Sequence, residues 1–216
     1  MLFGRLSFSV IVSASSSLVI SRAMATTSRI AVAQLCSTSS KVSNLMNVAK
    51  CAALAKQRDC KMLFLPECFG FLGESSEQTL QQAEPPVVDD KSTNHVAITY
   101  KLKAIISHSN DAHGEIDESV SEGRVSLLDG LRTIAIESGL WISAGGMHVG
   151  GAPPGQDNKE RVYNTHVVVD NHGEVRGIYR KIDLFDVCIP GKGNLRESAT
   201  TAPGEELVVC DSPIGE

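Results

Sequence analysis

No acidic residue precedes Asp59, and no two of the six cysteines stand in a Cys-x-x-Cys spacing. Cys36, Cys51, Cys60, Cys68, Cys188 and Cys210 are scattered, which argues against a zinc ribbon or a disulfide-stapled scaffold and fits free thiols in a reducing compartment. Basic residues are not in excess. Lys and Arg number 20 against 25 Asp and Glu, and a net charge of -5 gives no reason to expect a nucleic-acid partner. The longest apolar run, residues 8–20, is too short and too interrupted by Ser to span a bilayer, so no membrane role is read. Neither G-x-G-x-x-G nor a P-loop occurs, and there are no repeats or heptads; the Gly-rich GGMHVGGAPPG (145–155) reads as a flexible turn.

What is present divides into a tail and a domain. Residues 1–28 are rich in Ser, Ala and Val and carry Arg5 and Arg22, a composition that suits a mitochondrial or chloroplast transit peptide. A secretory signal cleaved near Ala23-Met24-Ala25 and a disordered tail are the rivals; a start at Met24 would leave a cytoplasmic form.

From Arg29 the pattern is α/β. Strands are predicted over 30–35, 62–65, 140–144, 162–170, 174–181 and 207–211, from short apolar or alternating runs bounded by turn residues. Ser43 or Asn44 is expected to cap a helix whose stripe is Leu45, Val48, Ala49 and Ala52. A second stripe, Leu128, Leu131, Ile134 and Ala135, ends at Gly139, a C-terminal cap. Residues 163–181 read as a β-hairpin turning at Asn171-His172-Gly173. Between Pro86 and Ser126 only Val96, Ile98, Tyr100 and Leu102 alternate, within a polar, acidic tract, so 87–125 is expected to be a disordered insertion. His108, Asp111, His113 and Glu115 in that tract could ligate a metal, but these types are ordinary in a solvated loop and no metal is read.

Chemistry concentrates at two strand ends. Glu67 follows the apolar run Met62–Leu65 and Pro66, and a carboxylate at a core's edge must be paired, neutralised or used. Functional groups in open α/β sheets gather at the carboxyl ends of strands. Lys181 ends the hairpin. A carboxylate and an ammonium meeting at one sheet edge supply a general base and an oxyanion stabiliser.

The order of IAVAQL, MLFLPECFGF, AEP, SGLWISAGGMH, YNTHVVVDNHGEVRGIYRKIDLFDVCIPGKG and APGEELVVCDSPIGE resembles the nitrilase, or carbon–nitrogen hydrolase, superfamily. It is most similar to the deaminated-glutathione amidase branch, from about Arg29 to Glu216 apart from the insertion. The resemblance implies an αββα sandwich, present here as its N-terminal portion and usually dimerised through its helices. It implies Glu67 as general base, Lys181 as the second catalytic residue, a cysteine thiolate attacking a small amide, and no cofactor. The family nucleophile lies in a Gly-x-x-x-Cys-x-Asp-like motif after SPIG, and residues 1–216 contain no such motif. Cys68, Cys188 and Cys210 lie in other matched segments and are read as packed or incidental thiols. Asp183 stands where the family typically has His, and Cys188 where an acidic residue is common. Tyr163 and Asn164 are read as strand-edge and packing residues. The expected activity is hydrolysis of deaminated glutathione or a related ω-amide. The alternative is a non-catalytic relative that pairs with a full-length paralogue.

Overall fold

The computed structural model describes residues 28–87, 98–107, 125–155, 159–191 and 193–215. The transit-like segment and the His108–Glu115 cluster lie outside the described residues, as does most of the tract read as an insertion.

The described residues open with a parallel β-α-β unit: β1 (Ile30–Val32), α1 (Lys41–Gln57) and β2 (Met62–Leu65), with Ile30 opposite Met62. β1 is shorter than its apolar run, although the Ala33 N–H still donates to Phe64 O. Helix α1 is capped by Ser40, whose hydroxyl accepts the Ser43 N–H, rather than by Ser43 or Asn44. Asn44 is buried instead, its Nδ2 donating to the carbonyls of Thr38 and Gly70 at 2.8 Å each. The stripe Leu45, Val48, Ala49 and Ala52 is fully buried as expected.

A short helix α2 (Ser76–Gln81) follows, then α3 (Thr99–Ser107) and α4 (Leu127–Ser138). Within the tract expected to be a disordered insertion, residues 98–107 are ordered around helix α3, while 88–97 and 108–124 lie outside the described residues. Ile98, Leu102 and Ile106 recur every four residues, are buried, and dock this helix between α1 and α4. The period-2 reading of the same run shared Ile98 and Leu102 with the helical stripe, but its intermediate Tyr100 is 87% exposed. Helix α4 buries Leu127, Leu131, Ile134 and Ala135, while Leu128 is only partly buried. Gly139 closes it in the left-handed conformation (φ 71°), where a side chain would be strained.

The remaining strands are β3 (Trp141–Val149), β4 (Val162–Val169), β5 (Val175–Arg180), the pair β6 (Asp186–Ile189) and β7 (Gly193–Arg196), and β8 (Thr201–Ala202). The main sheet runs β1-β2-β3-β4-β5, parallel through β3 and antiparallel beyond it. Strand β3 extends through Gly145–Val149, so half of the supposed flexible glycine turn is strand with a bulge between Ala144 and Met147. Side chains of β2, β3 and β4, including Leu63, Ile142, Val167 and Val169, form one core with α1, α3 and α4. Each fully buried Leu, Ile or Val there contributes about 1.5–3 kcal/mol by leaving water. Residues 207–211, predicted as a strand, form none: Leu207 and Val209 are 86% and 77% exposed. An apolar run needs a partner strand to become a strand itself, and among the described residues none pairs with this one.

The strand that matters most for the site is the shortest. Strand β8 pairs parallel with the start of β4, Val162 opposite Thr201, on the edge that β5 vacates after pairing Thr165 with Arg180. The chain therefore leaves the β4 edge at Lys181, makes the β6–β7 excursion, and returns to the same edge at Thr200, whose carbonyl accepts the Val162 N–H. Both ends of the excursion meet there.

Candidate active site

Pro66 stops β2 and hands Glu67 to a tight loop. Cys68 adopts a left-handed backbone (φ 56°), and its N–H donates to Gly146 O at 2.9 Å, docking the loop on the β3 bulge. Gly145 and Gly146 admit it. A Cβ at Gly145 would lie 3.0 Å from Leu65 O, and one at Gly146 would lie 2.3 Å from Asn164 Oδ1 and 3.0 Å from Glu67 Cγ.

Lys181, one residue past β5, reaches this loop from 114 positions away: its Nζ stands 3.0 Å from Glu67 Oε1. The two residues read from sequence as one site are in contact. Two others join them that the sequence reading did not assign. Glu197 Oε2 accepts from Lys181 Nζ at 2.9 Å and from the Phe185 N–H at 2.7 Å. Asn164, read as a packing residue, donates from Nδ2 to Glu67 Oε1 (2.6 Å) and to Glu197 Oε1 (3.0 Å). The signal for Glu197 lies in topology alone, because β8 returns the chain to the edge that Lys181 leaves. Tyr163 is not part of the cluster; the Arg180 guanidinium lies 4.3 Å above its ring.

The two carboxylates are not equivalent. The Glu197 side chain is 17% exposed, with both oxygens committed to protein donors. The Glu67 side chain, placed by the sequence at the core's edge, is 55% exposed, and charge and hydrogen bonds, not burial, hold it. Burial pushes the Glu197 carboxyl up, but its bonds to Asn164, Lys181 and Phe185 outweigh that and leave it below the usual carboxylate range. Burial likewise lowers the Lys181 ammonium, and the two carboxylates more than compensate, holding it above its ordinary value. Lys181 is therefore a cation at neutral pH.

Cys68 neighbours the cluster, next in sequence to Glu67. Burial raises its thiol first, and the charges of Glu67 and Glu197 add to that against Lys181. Cys188 is exposed on β6 rather than packed, and Cys210 is half-buried. No group of three or more potential metal ligands converges among the described residues.

Residues 29–216 match the family model described as carbon-nitrogen hydrolase. The chain belongs to the carbon–nitrogen hydrolase family. It is 33% identical over 187 residues to the deaminated glutathione amidase of Bos taurus, covering 86% of this chain and 44% of that protein. With the Dictyostelium discoideum protein of the same name it shares 28% identity over 189 residues, 87% and 53% of the two chains. The chain thus spans about half the length of these curated relatives. Among solved structures it is similar to the Caenorhabditis elegans NitFhit protein, with a TM-score of 0.53 at 27% identity over 86% of this chain and 35% of that one. The Saccharomyces cerevisiae Nit3 structure, at 20% identity, has the same TM-score over 87% and 52% of the chains and speaks for the fold alone.

Two histidines give the domain a pH dependence of its own. His148 and His166 are both lowered by burial, against the Glu197 and Glu67 charges at His148, and His166 Nε2 pairs with Ser143 Oγ at 2.8 Å. A histidine whose folded pKa lies below its unfolded value near 6.5 favours the fold when neutral. Stability is then full above that value and falls as pH drops through it, because the unfolded chain binds the proton first. The thermal midpoint is expected to rise from pH 5 to pH 7, with a shallower rise in His166→Gln; equal slopes in the two proteins would refute the assignment. Below about pH 4.5 Glu197 adds a second loss, since its folded carboxyl lies below its unfolded one.

Proposed function

We propose that the chain supplies the base and oxyanion groups of a carbon–nitrogen hydrolase acting on a small linear amide, deaminated glutathione or a related ω-amide. The observation that carries this reading is the 3.0 Å contact between Glu67 and Lys181, two strand ends brought together by the fold. Glu67 takes the proton of a cysteine thiol as its sulfur bonds to the amide carbon. The carbonyl π electrons move onto oxygen, where the Lys181 ammonium stabilises the charge. Collapse breaks the carbon–nitrogen bond, the departing nitrogen takes the proton from Glu67, and water hydrolyses the thioester.

Family resemblance puts the thiol in the Gly-x-x-x-Cys-x-Asp-like motif, which residues 1–216 do not contain. A polypeptide of these residues is therefore expected to release no ammonia from an ω-amide above background. Joining it to the C-terminal segment of the Dictyostelium relative is expected to create the activity. Turnover by residues 1–216 that is lost in Cys68→Ser or Cys188→Ser would overturn this assignment of the thiol.

A second reading, a non-catalytic partner of a full-length paralogue, draws on the exposed Val32, Leu207 and Val209. Co-elution with such a paralogue, together with an inactive joined polypeptide, would favour it.

A further inference from the structure

We propose that Asn164 is a positioning residue that decides which oxygen of Glu67 acts as the base, an inference resting on the hydrolase reading above. Its side-chain nitrogen carries two hydrogens, and two carboxylate oxygens lie in reach: Glu67 Oε1 at 2.6 Å and Glu197 Oε1 at 3.0 Å. The opposite amide orientation would set Oδ1 against two anions, so the hydrogen-bond network admits one orientation. Gly146 closes the other side, since any Cβ there would meet Asn164 Oδ1 at 2.3 Å. Asn164 is 5% exposed, so water does not replace a donor bond that is lost.

The consequence lies in the oxygen count. Glu197 has both oxygens engaged, Oε1 by Asn164 and Oε2 by Lys181 and the Phe185 N–H. Glu67 has both of its donors, Asn164 and Lys181, on Oε1. No described residue donates to Oε2, on a side chain that is 55% exposed. Glu197 is thereby a fixed counter-ion for Lys181, while Glu67 presents one free lone-pair edge in one direction. Without the Asn164 bond the Glu67 carboxylate could turn about its last torsion, and either oxygen could fall against Lys181. Fixing that torsion is the kind of preorganisation on which proton transfer depends.

Two measurements test this. In residues 1–216, side-chain amide NMR of Asn164 should show one hydrogen moved upfield in Glu67→Gln and the other in Glu197→Gln. Asn164 resonances unchanged in either variant would overturn the proposal, whether or not the chain hydrolyses anything. In the joined polypeptide, Asn164→Asp keeps the shape and removes both donors. The expected result is a fall in kcat of about 100-fold with KM within a few-fold, and an acid limb of the pH profile moved to higher pH. Asn164→Ser, which keeps one donor, should recover part of kcat. Equal kcat in Asn164→Asp and wild type would sink the proposal. A wild-type joined polypeptide without activity would count against the hydrolase reading and leave the NMR result to decide Asn164. If Asn164→Asp fails to fold, the Glu67→Gln and Glu197→Gln spectra still decide it, because they leave Asn164 in place.

Discussion

Replacing Glu67 by Gln in the joined polypeptide is expected to lower amide hydrolysis by about 100- to 10,000-fold, the range a positioned general base contributes. The substitution keeps the size of the side chain and its acceptor oxygen, so the bonds from Asn164 and Lys181 to that atom survive. What is lost is the capacity of the other oxygen to take a proton from the thiol. Because more than half of the Glu67 side chain is in solvent, the change should leave stability nearly untouched. Circular dichroism and the thermal midpoint should therefore match wild type while ammonia release disappears. Activity within a few-fold of wild type would remove Glu67 from the role. Lys181→Met, which keeps the aliphatic stem and removes the charge, should lose activity comparably, with the oxyanion left unstabilised.

The largest effect on stability is expected at a residue that does no chemistry. Glu84, 4% exposed, accepts from Lys41 Nζ at 2.5 Å through Oε1 and from the Leu127 N–H at 2.9 Å through Oε2. Its backbone takes the end of β3 as well, its N–H donating to His148 O and its carbonyl accepting from Gly150. One residue thus joins the start of α1, the start of α4 and the strand that carries His148 beside the site. Glu84→Ala would leave a buried ammonium without its counter-ion and an N-terminal amide of α4 without an acceptor. Breaking a buried pair from one side costs about 3–5 kcal/mol, which urea denaturation would resolve as a lower midpoint. Replacing both partners, Lys41→Met with Glu84→Leu, should recover most of that, because no charge is left buried and unpaired. A single-variant cost under about 1 kcal/mol would show that the pair is not buried in solution.

Much of the fold was legible because its elements follow local rules. The α1 stripe, the Gly139 cap and the Asp170–Glu174 turn each depend on residues within a few positions of one another. Glu67 and Lys181 stood out because each lies at the end of a predicted strand, and the family resemblance supplied their expected roles. Helix α3 was not legible, since Ile98 and Leu102 satisfy both a two-residue and a four-residue period, and packing against α1 and α4 chose between them. The stretch 207–211 erred the other way, for a short apolar run makes a strand only where another strand accepts its hydrogen bonds.

By itself, then, the order of residues determined where most of the main-sheet strands lie, which faces of α1 and α4 are apolar, and that a carboxylate and a lysine stand close to two strand ends. Only the tertiary structure decided that they touch, and that Asn164 and Glu197 complete the cluster. Strand β8 returning to the edge vacated by β5 brings Glu197 to Lys181, and the Gly145–Gly146 bulge lets the Glu67 loop settle against Asn164. These are contacts between segments 16 to 114 residues apart. No local periodicity encodes them, because the free energy that selects them is released only when the sheet is assembled.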